Sequence, residues 1–232
     1  MLPEKRLLKN NVNKSFKKIM VWFTIPLFFL LIGYLIMFLI AQPYIRPITS
    51  LYQMIAQNQA PDFSSTARNL YTDKKGLPTD GEINAMDIKS VRVGDTMGKV
   101  IIEDADIDVP LIYGSTDECL YIGAGIRTQS GKPGYGKPVM IAGHTIPYFK
   151  NLGIVKNGQI ITIETYYGIF KYKITGSRVA DASDSSAYDL TQNKEQLILF
   201  TCYPLDGVGE KEDRLFVYAD KVSGPIVVGD TK

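Results

Sequence analysis

The chain has 232 residues, of which 45% are hydrophobic and 22% charged, and its 26 lysines and arginines against 24 aspartates and glutamates leave a formal net charge of +2. These proportions are ordinary for a globular protein and allow one domain with appendages. The first 18 residues carry six basic side chains and one acidic, so the rest is acidic at about −3 and the composition gives no support to nucleic-acid binding.

Residues 1–18 read as a basic tail. Ile19–Ala41 follows without a single charge. A helix over those 23 residues spans about 34 Å, enough to cross a hydrocarbon core of about 30 Å. The run is too long for a signal peptide, and no Ala-x-Ala-type cleavage site follows it. Residues 19–41 are therefore expected to form an uncleaved transmembrane anchor. Lys5, Arg6, Lys9, Lys14, Lys17 and Lys18 precede the run, and only Arg46 follows it closely. By the positive-inside rule the N-terminus lies in the cytoplasm and the bulk of the chain outside the cell membrane.

Residues 42–82 read as an extracytoplasmic linker. Gln42–Ser50 holds two prolines; Leu51, Met54 and Ile55 have helical spacing; Ala56–Asp80 is polar, with Pro61, Gly76 and Pro78. From about Ile83 to the end at 232 the texture becomes short β-like runs with turns between them. Lys99–Glu103, Val109–Tyr113, Val139–Ala142, Ile160–Glu164, Ile169–Thr175, Leu197–Cys202 and Leu215–Ala219 are the expected strands, with Ile226–Val228 as a short edge piece. Phe170, Tyr172 and Ile174 alternate with Lys171 and Lys173, the period of a half-buried strand. Gly176–Gln196 reads as a long connection. The fold class is mainly β, a barrel or sandwich with little helix.

The chemistry centres on Leu197–Pro204, where four apolar residues lead to Thr201 and Cys202 and Pro204 closes the run. A cysteine at a strand end can leave the core and meet a cleft. Its thiol becomes a useful nucleophile when a base or a positive charge favours the thiolate. His144, the only histidine, follows the strand Val139–Ala142, and Arg214 opens the strand Leu215–Ala219. Taken singly, each of the three is most often structural or solvated. Together they supply the parts of acyl transfer: a thiol to attack a carbonyl, an imidazole to move protons, and a guanidinium with fixed donors for the oxyanion or the substrate backbone. One histidine and two distant cysteines do not make a zinc site, no phosphate-cradling loop is present, and no cofactor is expected. Cys119 reads as a small, partly buried residue on a short helical turn. A disulfide is not expected in a domain of this size.

At this point the sequence resembles the sortases, the membrane-anchored cysteine transpeptidases of Gram-positive bacteria. The resemblance covers roughly residues 87–222 and the N-terminal anchor. It rests on Ile198-Leu199-Phe200-Thr201-Cys202, similar to the family's T-L-x-T-C motif with Ile198 for the first threonine. It rests also on Ala142-Gly143-His144 after an apolar strand, and on Arg214 in Asp213-Arg214-Leu215-Phe216-Val217. Many sortases carry a second histidine where Gly125-Ile126 stands here.

The resemblance implies a sortase-type eight-stranded β-barrel with short helices over residues 83–232, behind one N-terminal transmembrane helix. It implies Cys202 as nucleophile, His144 as general acid and base, Arg214 as oxyanion or substrate stabiliser, and Thr201 and Leu199 as substrate-contacting positions. The implied substrates are surface proteins with an L-P-x-T-type sorting signal, cleaved after Thr through a thioester and passed to an amine of a cell-wall precursor. Cys202-Tyr203-Pro204 with Val208-Gly209 is similar to class D and some class A members, and an anchoring enzyme of those classes is expected over a pilin polymerase. A purely hydrolytic cysteine peptidase and an inactive barrel serving as a binding module share the same residues as alternatives.

Overall fold

The computed structural model describes residues 20, 22, 24–38, 67–72, 76–206 and 211–229. They fall in two units, residues 1–56 and 57–232. In the first unit residues 24–38 are helical. Among the described residues no helix is long and apolar enough to cross a membrane. The rest of the predicted 19–41 span, and the helical spacing at Leu51–Ile55, lie outside the described residues.

The described residues of the second unit form ten strands: β1 (Glu82–Asn84), β2 (Thr96–Ile102), β3 (Ile107–Tyr113), β4 (Ala124–Ile126), β5 (Val139–Ala142), β6 (Ile160–Thr165), β7 (Gly168–Asp181), β8 (Gln196–Tyr203), β9 (Asp213–Ser223) and β10 (Ile226–Val228). Eight of them close a barrel in the order β2-β3-β4-β5-β8-β9-β7-β6, and β1 and β10 form a separate parallel pair. Within the barrel β3 with β4 and β5 with β8 run parallel, and the other pairs are antiparallel.

Alternation explains the closure. Phe170, Tyr172 and Ile174 of β7 point into the core while Lys171 and Lys173 face water. Val109 and Leu111 of β3, Ile161 and Ile163 of β6, Leu197 and Leu199 of β8, and Leu215, Val217 and Ala219 of β9 do the same. Each large side chain buried this way contributes about 1.5–3 kcal/mol. A second apolar cluster lies on the outer face: Met140, Ala180, Ala187, Ile198 and Phe216, with Tyr188, Leu190, Phe200 and Tyr218 packed against it.

Three features depart from the sequence reading. The strand expected to end at Thr175 continues to Asp181, because a bulge between Ile174 and Gly176 shifts the register and breaks the alternation. Strands β1 and β4 were not expected; three residues are too few for a period, and in β4 all three are buried. Gly125 within it is required by close approach, since a Cβ there would lie 2.2 Å from the Gly114 carbonyl oxygen. Finally, part of the stretch read as a linker packs on the barrel. Asn69 bridges to Thr96, Arg68 binds the buried Asp95 through its backbone N–H at 2.8 Å and its guanidinium at 2.7 Å, and the buried Tyr71 donates its hydroxyl to Glu164.

The barrel end holding these residues is closed by Glu195. Its buried carboxylate accepts from the Gly134 N–H at 3.0 Å, the Gly136 N–H at 3.1 Å and the Tyr172 hydroxyl at 2.6 Å, with the Lys221 ammonium 3.5 Å away. One side chain thus pins the 131–138 loop to β7 and β9. Glu195→Ala leaves those donors and Lys221 without their acceptor, and the expected cost is about 3–5 kcal/mol. Urea unfolding followed by tryptophan-independent circular dichroism measures it; a loss below about 1 kcal/mol would show that water replaces the carboxylate.

Candidate active site

Strand register brings the three candidate residues to one level. In the parallel pair β5–β8, Ala142 lies opposite Phe200, and the Gly143 N–H donates to the Phe200 carbonyl at 3.1 Å. His144 and Cys202 are each two residues beyond this pairing. In the antiparallel pair β8–β9, Cys202 lies directly opposite Arg214. Neighbouring strands are about 4.8 Å apart, and opposed residues share a face. Cys202 is thus flanked by the histidine end of β5 and by Arg214.

The face they share is the outside of the barrel. Along β8, Leu197, Leu199 and Thr201 are buried toward the core, while Ile198 and Phe200 belong to the outer cluster and Cys202 continues their row. On β9, Arg214 continues the row of Phe216 and Tyr218. Phe200 stacks on Phe216 with ring centroids 5.7 Å apart, and Phe216 on Tyr218 at 6.5 Å.

Both cysteines are free thiols, and burial separates them. Cys119 is 1% exposed, its sulfur held between the Thr116 hydroxyl and the Tyr113 carbonyl, whereas Cys202 is half-buried at the strand end.

Two threonines lock the histidine loop to the cysteine strand. The Thr145 hydroxyl donates to the Cys202 carbonyl at 3.1 Å and lies 3.0 Å from the Thr201 hydroxyl. A hydroxyl has one proton to give, so Thr201 must donate to Thr145. Both are buried, at 7% and 2% exposure, which makes the pair costly to break. Gly143 lets the loop fold under: a Cβ there would stand 2.6 Å from the Phe149 ring. Thr201 therefore supports the site from beneath. Leu199 is fully buried in the barrel core and contributes packing, with no surface left for a substrate.

The half-buried His144 ring lies 5.9 Å from the Tyr121 ring. Burial holds its imidazole below the ordinary value, and the charge of Asp117 opposes that shift. Asp117 opens the short helix Asp117–Ile122, and Tyr148 ties down its far end by donating to the Tyr121 carbonyl at 2.6 Å. The Arg214 guanidinium donates through Nη1 to the Lys211 carbonyl at 2.7 Å and the Asp213 carbonyl at 2.9 Å. One edge of the fork is thus anchored to its own loop, and Nη2 and Nε have no hydrogen bond among the described residues. Asp117, Tyr121 and Thr145 were missed in the sequence. Thr145 was signalled only by its place next to His144.

A family model described as the Sortase domain matches residues 100–222. Sortase D of Bacillus subtilis (strain 168) is 29% identical over 130 residues, 56% of this chain and 66% of the relative, so the chain spans just under two thirds of that curated relative. The structure of a Clostridium perfringens sortase D5 transpeptidase is 26% identical, with a TM-score of 0.52 over 57% of this chain and 82% of that one. A lid mutant of sortase A from Corynebacterium diphtheriae is 28% identical, with a TM-score of 0.50 over 55% of this chain and 70% of that one.

Because the chain has a single histidine, its imidazole can be titrated alone by proton NMR. The midpoint is expected below 6.5, since burial disfavours the cation. Asp117→Asn removes the charge that favours the cation, so the midpoint should fall further. A midpoint above 6.5, or one that rises in the variant, would contradict this description of the pocket.

Proposed function

Since this chain belongs to the sortase family, we propose that it is a cysteine transpeptidase that cleaves an L-P-x-T-type sorting signal after Thr and transfers the acyl group to an amine of a cell-wall precursor. The observation carrying this reading is the shared level of His144, Cys202 and Arg214 on β5, β8 and β9. The Cys202 sulfur attacks the threonine carbonyl carbon as the thiol proton passes to His144. The carbonyl oxygen becomes an oxyanion, and the free edge of the Arg214 guanidinium offers it donors. His144 then gives its proton to the leaving amine nitrogen, the C–N bond breaks, and a thioester remains on Cys202. The acceptor amine attacks the thioester, losing a proton to His144, and the thiol is regenerated.

The relatives named sortase D support a class D anchoring enzyme, in line with the Cys202-Tyr203-Pro204 motif. The charge-free run at 19–41 and the lysines before it support a single N-terminal anchor, with the barrel outside the cell.

Intact-protein mass spectrometry tests the assignment, with the full chain in detergent mixed with L-P-x-T-G and L-P-x-T-A peptides with and without amines. Wild type should form one acyl adduct, on Cys202, and discharge it faster when an amine is present. Cys202→Ala should form none, and the buried Cys119 should stay unmodified. Arg214→Lys keeps the charge but loses the planar fork, and acylation should slow by about 10²–10³. Discharge at the same rate without amine would instead favour a hydrolytic peptidase. An adduct on Cys119, or a fully active Cys202→Ala chain, would end the assignment.

A further inference from the structure

Arg127 follows β4 directly. Its backbone N–H donates to the Met140 carbonyl at 2.9 Å, which places it beside β5. Its side chain reaches the outer apolar face, where Nη1 lies 3.2 Å from the Tyr188 hydroxyl and 3.6 Å from the Met140 sulfur, with the guanidinium carbon 5.6 Å from the Tyr188 ring centre. The side chain is half-buried, and among the described residues no carboxylate forms an ion pair with it. Asp189, next to Tyr188 in sequence, accepts instead from the backbone N–H and hydroxyl of Thr191. A guanidinium cannot shed its charge by deprotonation, so partial burial without an anion leaves donors for an incoming acceptor.

Its position fixes which acceptor. Met140 lies opposite Ile198, which is four residues before Cys202 on β8. At about 3.3 Å per residue, Arg127 therefore stands about 13 Å upstream of the nucleophile as measured along β8, its guanidinium reaching from β4 across to Met140 on β5, the strand beside β8. The apolar outer face runs in that direction only, through the half-buried Phe200 toward Tyr188 and Leu190, since β8 ends at Tyr203. An extended peptide with its threonine at Cys202 places the following upstream residues, x, Pro and Leu, over this face and ends about 10 Å away at Leu. The next residue upstream arrives at Arg127.

We propose that Arg127 is a specificity-determining residue that binds an acidic side chain immediately preceding the Leu of the sorting signal. The inference rests on the reading of Cys202 as the acyl-accepting thiol. It assigns a client class: surface proteins whose signal reads (Asp/Glu)-L-P-x-T. The ion pair forms in a half-buried setting, with Tyr188 beneath the guanidinium plane as a second support for the cation.

The test uses the full chain in detergent and three otherwise identical peptides carrying Glu, Gln or Lys before the Leu. Thioester formation on Cys202 is followed by mass spectrometry, and kcat/KM is compared. Wild type should favour Glu over Gln by about three- to tenfold and disfavour Lys. Arg127→Gln should react with all three peptides at similar rates, Arg127→Lys should keep the Glu preference in weaker form, and Arg127→Glu should invert it toward Lys. A wild type indifferent to the charge, or an Arg127→Gln chain slowed equally on all three with the Glu preference intact, would overturn the proposal and leave Arg127 as a prop for Tyr188. A thioester formed by wild type at equal rates on all three peptides strikes this inference alone; no thioester on Cys202 of wild type with any of them strikes the functional reading beneath it.

Discussion

The backbone ladder that joins β5, β8 and β9 is the constraint on which the site depends. Ala142 pairs with Phe200 in parallel, and Cys202 pairs with Arg214 in antiparallel sense. Side chains alternate along a strand with a period of two, so a slip of one residue in β8 would turn Cys202 into the core and Thr201 outward. That slip is resisted by Leu197 and Leu199, which would leave the core together. The register of the candidate site and the hydrophobic core are therefore enforced by the same residues. The Thr145–Thr201 contact and the Thr145 bond to the Cys202 carbonyl extend the lock one step beyond the ladder, to the loop that carries His144.

The barrel divides its labour between its ends. One end collects Asp95, Glu195, Tyr172 and the docked segment 67–72, where the buried carboxylates of Asp95 and Glu195 are hydrogen-bonded. The other end leaves Cys202, His144 and Arg214 half-buried, with donors and acceptors that the protein does not saturate. Half-burial matters chemically. Burial lowers the His144 imidazole below its ordinary value and so favours its neutral form, while Cys202 beside it stays partly exposed.

Much of this was legible in the sequence, for identifiable reasons. The alternating strand Ile169–Thr175 and the compact apolar run Val139–Ala142 announced themselves, and Cys202, His144 and Arg214 each stood at a strand boundary marked by Gly, Pro or a polar residue. The extension of β7 was hidden by the bulge at Ile174–Gly176, beyond which Ser177, Arg178 and Val179 are all exposed and show no alternation. Asp117 and Thr145 were invisible for another reason: their contribution is a charge or a hydrogen bond across 27 or 57 positions of chain, and no local pattern encodes it. Leu199 shows the limit of motif transfer. The resemblance implied substrate contact for it, while the pleat sends it to the core.

The proposed function turns on one geometry, a substrate carbonyl at Cys202 held between the histidine loop and Arg214 on the outer face of the barrel. The most direct measurement is a crystal structure of the chain inactivated by an L-P-x-T peptide aldehyde, which forms a hemithioacetal on the nucleophilic sulfur. The adduct is expected on Cys202, with its oxygen about 2.7–3.1 Å from an Arg214 nitrogen and the peptide running back over Phe200 toward Met140. An oxygen turned away from Arg214 into solvent, or a peptide lying past Tyr203 in the opposite direction, would contradict it.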